Sequence, residues 1–294
     1  MRYALRHLTR YAYGAPVDLG YHVLRMSPRD TGRQKVLRTD LTLAPQPSRD
    51  SSFIDHFGNA TRHVVVEMPH SAFSATLDAV VEVTPRGGAA LPAGPAWETV
   101  RDAMRDDGFP QAPAVAEFIY ASTLAPADET AGAYAAASFP AGRPIVEGLR
   151  DLTARIRRDF AYLPGTTDVT TPVGEVMRAK RGVCQDFAHA MVAGLRCLGL
   201  PARYVSGYLR TYGPSDPYLL RGADASHAWV GAWCGPEIGW LDFDPTNDLV
   251  VDAEHITLAI GRDFDDVSPL RGVILGGGSH AVEVAVTVTP LQEK

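Results

Sequence analysis

Cys184 stands near the start of the stretch RGVCQDFAHAMVAGLRCLGL (181–200), just after Gly182 and Val183, in a place where a cysteine can act as a nucleophile. A thiol attacks as its thiolate, and the unpaired N–H groups and dipole of a helix N-terminus stabilise that anion. Lys180 and Arg181 add positive charge nearby, and Gly182 permits a tight approach to the helix. A base is also needed. His189 follows five helical positions later, which rotates its side chain about 140° away from Cys184, so it reads as a packing or hydrogen-bonding residue. His227 is better placed, in the run SHAWVGAWCGPEIGWLDFDPTN (226–247), where GPEIG reads as a turn and Asp242 and Asp244 follow in the returning strand. If Trp233 pairs with Trp240, Asp244 falls opposite Trp229 and becomes a diagonal same-face neighbour of His227, while Asp242 faces Gly231. A slip of one residue would turn both acids away. A carboxylate on the second imidazole nitrogen fixes the tautomer and stabilises an imidazolium paired with a thiolate.

Cys184, His227 and Asp244 are thus the candidate nucleophile, base and orienting acid. Attack on an amide carbonyl would create an oxyanion, for which the Cys184 backbone N–H and the hydroxyl of Tyr162, in FAYLPGTTD, are candidate donors. Each residue also has a plainer reading: a small buried hydrophobe for Cys184, a packed strand histidine for His227, an Asp-Pro turn for Asp244 and a structural tyrosine for Tyr162. Their joint occurrence at this spacing favours the chemical one.

Positioning these residues requires a helix and a sheet. Phe187, Met191, Leu195 and Leu198 form a stripe spaced by fours and threes that would bury the helix, and Gly199 and Pro201 would end it. ARYVSGYL, SHAWVGAWCG, GWLDFDPTN and HAVEVAVTVTP read as strands, while AWETVRDAMRDDG, APAVAEFIYASTL and PIVEGLRDLTARIRRDF carry helical periodicity. Residues 1–90 instead alternate in short runs bounded by Pro, Gly, Asn or Asp, the pattern of an antiparallel β-sandwich. RGGAALPAGPAW (86–97) reads as a linker. The expected fold class is α+β, with a β-rich domain over 1–90 and a catalytic domain over 91–294.

Composition limits the partners. The 294 residues are 46% hydrophobic and 21% charged with a net charge of −6, so no field draws in nucleic acid, and no run approaches membrane-spanning length. The first residues lack the apolar stretch of a secretory signal, and three cysteines are too few for a disulfide framework, so a cytoplasmic protein is expected. No metal-binding, nucleotide-binding or EF-hand motif occurs, and no cofactor is expected. His56, His63 and His70 recur every seven residues, yet odd spacing in strands alternates their faces and disfavours a shared metal. Cys197 and Cys234 read as core residues, Arg262 and Asp263 as a solvated pair, and His255 as a rival base without a paired acid.

GVCQDFAHAM, LGLPARYVSGYL, HAWVGAW and GWLDFDPTN together resemble the core of the transglutaminase-like superfamily in its bacterial branch, most specifically over about residues 155–250. The first 90 residues are similar to the N-terminal region that accompanies this core in bacterial members. The resemblance implies a papain-like arrangement, with a Cys-bearing helix packed on an antiparallel sheet bearing His and Asp. It also implies Cys184 as nucleophile, His227 as general acid and base, and Asp244, four residues after Trp240, as the orienting group. No acidic loop suggests a calcium requirement. The expected reaction is acyl transfer on peptide or protein amides through a thioester, with hydrolysis favoured over amine-accepting cross-linking. A catalytically idle peptide-binding module is the alternative of a different class.

Overall fold

The computed structural model describes residues 1–87, 90–105, 112–212, 220–222 and 226–291. Five strands come first: β1 (Arg2–Leu24), β2 (Gln34–Ala44), β3 (Arg49–Ile54), β4 (Ala60–Val66) and β5 (His70–Val83). In β5 every second side chain from Phe73 to Val83 is buried, as expected where one face of a sheet is covered. Helices follow, namely α1 (Trp97–Ala103), α2 (Ala112–Ala116), α3 (Glu129–Ala136) and α4 (Ile145–Asp159). The short strand β6 (Ala161–Tyr162), α5 (Val173–Ala179) and β7 (Arg181–Gly182) lead into α6 (Cys184–Cys197). The remainder holds β8 (Ala202–Leu209), β9 (His227–Trp233), β10 (Trp240–Asp244), β11 (Leu249–Val250), β12 (His255–Gly261), α7 (Phe264–Val267), β13 (Leu270–Gly276) and β14 (His280–Leu291). Residues 88–89 of the expected linker and 106–108 of the first expected helix lie outside the described residues.

β1 is the spine of the first sheet. Its first half pairs with β5 on one side and β14 on the other, and its second half with β4 and β13. All these pairings are antiparallel, and hydrogen bonding runs continuously through seven strands with β2 and β3 at the edges. The boundary at residue 90 assigns Leu270–Leu291 to the second domain, whereas the structure pairs both of those strands with β1. Strict alternation identifies a strand but carries no information about which distant edge it completes.

The second sheet has the order β11-β10-β9-β8-β12 and is antiparallel throughout its pairs. α6 packs on it and is buried almost all round, with only Gln185 and Cys197 escaping burial. A helix apolar on every side belongs inside a core, which makes α6 a rigid support for its first residue.

The two sheets share one apolar core, in which Tyr208, Ile256 and Leu258 join Tyr3, Phe73 and Leu77. Two side-chain amides complete the junction. Gln34 donates to Thr257 O at 2.8 Å and accepts from Thr257 N at 2.8 Å; Asn59 donates to Ile260 O at 2.8 Å and accepts from Ile260 N at 2.9 Å. Each amide thereby serves β12 as a neighbouring strand would. No helix among the described residues is long and apolar enough to cross a membrane.

Candidate active site

Cys184 is the first residue of α6 and is 9% exposed. Asp186, one turn into the helix, accepts a hydrogen bond from Val183 N at 2.7 Å and another from the Thr167 hydroxyl at 2.7 Å, which fixes the approach of the chain. Burial raises the Asp186 pKa, against the pull of those two hydrogen bonds. Lys180, expected to lend charge to the thiol, holds its ammonium over the rings of Tyr134 and Phe160, 4.1 and 4.3 Å from their centroids.

β9 and β10 form the hairpin with Trp233 opposite Trp240, so Asp242 faces Gly231, as the expected register requires. His227 opens β9 and Asp244 closes β10, both fully enclosed. His227 Nε2–H donates to Asp244 Oδ2 at 2.9 Å. Asp242 serves a different purpose, accepting from Trp229 Nε1 at 3.4 Å and pairing with Arg203 at 3.5 Å.

Asp244 accepts five hydrogen bonds. Oδ2 also receives His255 Nε2–H at 3.1 Å and Asn247 Nδ2 at 2.8 Å, while Oδ1 receives the backbone N–H groups of Thr246 at 2.9 Å and Asn247 at 3.2 Å. Burial alone would raise this carboxyl's pKa, but the charge and hydrogen bond of His227, with the bond from His255, hold it far below the usual carboxylate range. His227, Asp244 and His255 offer ligand atoms within 4.8 Å of one another. With every acceptor position of the carboxylate engaged by an N–H donor, the arrangement suits a charge-stabilising network rather than a cation.

The imidazole of His227 feels both a carboxylate and a thiol. Burial opposes its charge, yet Asp244 first and Cys184 second outweigh that opposition and lift its pKa to about 10. Its Nδ1 is buried without a hydrogen-bond partner among the described residues. Gly222 covers the same nitrogen: a Cβ built there would lie 2.7 Å from His227 Nδ1 and 3.6 Å from the Tyr162 hydroxyl. Tyr162 is held beside the start of α6 by the parallel pairing of β6 with β7, in which it lies opposite Gly182.

Other expectations fare differently. His189 is buried, accepts from Phe264 N at 3.2 Å, and has its pKa lowered to about 4 by burial, so it belongs to packing. His56 meets Glu117, His63 meets Tyr21 and His70 meets the carbonyl of Met68, and the three do not converge. Arg262 pairs with Asp266, while Asp263 caps α7 and accepts from Leu124 N. Cys234 is buried, but Cys197 is exposed because it lies two positions past Leu195, on the opposite side of α6 from that stripe. His255 does have an acid, namely Asp244, contrary to the sequence reading. Its place follows from the pairing of β12 with β8, which sets His255 opposite Leu209 two residues beyond the Gly207 that faces His227. No local pattern near residue 255 encodes that pairing.

Comparisons with known proteins agree with this organisation. The profile of the bacterial transglutaminase-like N-terminal region matches residues 3–82, and that of the transglutaminase-like superfamily matches residues 134–245. An uncharacterised protein of Mycobacterium tuberculosis is 40% identical over 298 residues, covering 99% of this chain and 93% of that protein. A protein-glutamine gamma-glutamyltransferase of Pseudomonas aeruginosa is 46% identical over 122 residues, covering 38% of this chain and 18% of that protein. Among solved structures, a candidate cysteine protease from Cytophaga hutchinsonii superposes with a TM-score of 0.74 at 21% identity, covering 100% of this chain and 92% of that one, a likeness of fold.

Proposed function

This chain belongs to the transglutaminase-like superfamily, and on that premise we propose that it is a cysteine-dependent acyl-transfer enzyme acting on peptide or protein amides. The observation that carries the reading is the hydrogen bond from His227 to a buried Asp244, supported by the electrostatic pull of Cys184 toward the charged imidazole. A purely structural role would call for neither a thiol at a helix start nor a fully buried histidine–carboxylate pair.

In the proposed reaction the Cys184 thiolate attacks the amide carbonyl, forming a C–S bond while the carbonyl electrons move to oxygen. The oxyanion accepts from the Cys184 backbone N–H, with the Tyr162 hydroxyl as a second candidate donor. His227 then protonates the departing amine as the C–N bond breaks, leaving a thioester. Next, His227 takes a proton from the incoming nucleophile and Cys184 leaves as thiolate. Asp244 keeps its charge throughout, holding the ring in one tautomer.

We favour water as that nucleophile, giving a peptidase or amidase, with an amine and hence cross-linking as the second reading. The partial similarity to a gamma-glutamyltransferase supports the latter. For the amide-bearing chain we propose the cleft of about 680 Å³ between the first sheet and the loops and short helix α7 beside it, which reaches Ser226, the neighbour of His227. Tyr11, Val169, Val282, Val284 and Phe264 give it apolar walls suited to an extended peptide with apolar side chains. All three cysteines are free, which suits a reducing compartment, and we propose the cytoplasm.

The test is mass spectrometry of covalent adducts trapped from a peptide library, with and without a primary amine. A thioester at Cys184 that His227→Ala abolishes is the expected result. Products hydrolysed in the presence of amine would select peptidase over transferase. No adduct at Cys184 with any peptide, together with iodoacetamide alkylation indifferent to His227→Ala, would overturn the proposal and leave a peptide-binding module.

A further inference from the structure

A second cavity, of about 260 Å³, opens where Gln34 and Val83 of the first sheet meet Arg203, Thr257 and Ile260 of the second, with His255, a partner of Asp244, in its wall. Its floor is built by Arg203, Trp240, Asp242 and His255 of the second sheet, and Arg33 and Arg86 reach over it from the first. The volume lies just under the roughly 300–1,000 Å³ of ordinary ligand sites, so it suits a small ion or metabolite.

Three guanidinium groups face two carboxylates, Asp242 and Asp252. Arg33 is committed to Asp252 and, through two nitrogens, to the carbonyl of Thr84 at 3.0 and 2.8 Å. Arg86 is not: its backbone N–H reaches Asp252 at 2.9 Å and its Nε reaches Val251 O at 3.3 Å. Arg203 lies over the Trp240 ring, 4.4 Å from its centroid, and its Nε is enclosed without a hydrogen-bond partner. Burial, and then Arg33, depress the Arg86 pKa against the opposing pull of Asp242 and Asp252, and burial does the same to Arg203 against Asp242. Crowded, partly desolvated cations with spare donors are a setting that an anion would relieve.

His255 narrows the choice of anion. It is 4% exposed and lines the cavity; its Nε2–H is given to Asp244, and its Nδ1 is enclosed without a partner. In the neutral ring that Nδ1 is an acceptor, so a ligand satisfying the whole site must bring negative oxygens for the arginines and an O–H for the histidine. We propose that this cavity binds a small protic oxyanion, a monohydrogen phosphate group or a hydroxycarboxylate, held by Arg86 and Arg203 with its O–H on His255 Nδ1. Because the same ring holds Asp244, occupancy tightens the carboxylate that orients His227. This second part, regulation of the reactive thiol, rests on the catalytic reading above.

Isothermal titration of the full chain tests the site directly, with inorganic phosphate and glycolate as protic probes and sulfate and acetate as their aprotic counterparts. Saturable binding of phosphate or glycolate is expected, more than about tenfold tighter than the aprotic partner, because a buried acceptor left unpaired penalises the latter. Whichever of the two protic probes binds more tightly identifies the ligand's class. Arg86→Gln, at the rim, and Arg203→Lys, which keeps the charge but loses the fork, should each weaken binding by more than about tenfold. Dissociation constants above about 10 mM for both protic probes, equal binding of the aprotic ones, or indifference to both variants would overturn the proposal. Iodoacetamide alkylation of Cys184 then separates the two readings. A rate that responds to His227→Ala and to phosphate supports regulation; one that responds to His227→Ala alone overturns it. A rate indifferent to His227→Ala, with phosphate still bound, defeats the catalytic reading and leaves the binding site standing.

Discussion

At the scale of single residues, Asp244 is the point on which two histidines converge. Asp244→Asn would present an amide to His227 Nε2 and allow the ring to adopt the other tautomer. Turnover, or His227-dependent alkylation of Cys184, should fall by about 10²–10⁴-fold while the fold persists, as circular dichroism would check. The charge on His227 gives a second prediction. Its folded pKa of about 10 lies above the ordinary 6.5, so its stabilising contribution is complete below 6.5 and is lost as pH rises through about 10. The stability advantage of the wild type over His227→Gln should therefore narrow across that interval, as denaturant midpoints measured near the two ends would show. The place of Cys184 at a helix start and the pairing of His227 with Asp244 were legible in the sequence because a helix start and a short hairpin are local features. The second histidine on Asp244 was not, since nothing near residue 255 announces a partner on another strand.

The elements show where local reasoning succeeds and where it stops. Trp233 and Trp240, on either side of the six residues 234–239, set the register of β9 with β10, and the structure keeps that register. β8 must be approached by both β9 and β12, and this depends on a close contact that no periodicity reveals. Gly207 sits where a Cβ would come 2.2 Å from the Ile256 carbonyl and 2.3 Å from the Trp229 ring. Gly207→Ala must push β12 outward or displace Trp229, and His255 would move with its strand. The expected cost is about 1–3 kcal/mol or more, read as a lowered denaturation midpoint, with less protection of β12 amides in hydrogen exchange. Of the expected helix stripe, Phe187, Met191 and Leu195 are buried in α6 while Leu198 is its half-buried C-cap, and the burial of Arg196 was not legible. Its guanidinium is consumed by the carbonyls of Phe118, Ala202 and Arg262, the first and last of which are distant in sequence.

For the whole molecule, the β-rich beginning and the mixed remainder were evident from the change in hydrophobic period, but their union was not. Gln34 and Asn59 look like ordinary loop and strand-edge residues in sequence, yet each supplies a donor and an acceptor to β12. Asn59→Asp would set a buried carboxylate oxygen against the Ile260 carbonyl, removing the donor. A loss of about 2–4 kcal/mol is expected, measured by thermal melting, and cleavage between the sheets by protease should quicken. The pairing of β1 with β14 has a consequence for biosynthesis. Of the described strands, the one that covers the first half of β1 is the last to leave the ribosome. Until it arrives, the nascent chain carries a bare edge along Arg2–Tyr13, open to whatever strand it meets first, so chaperone capture during translation should concentrate on that segment.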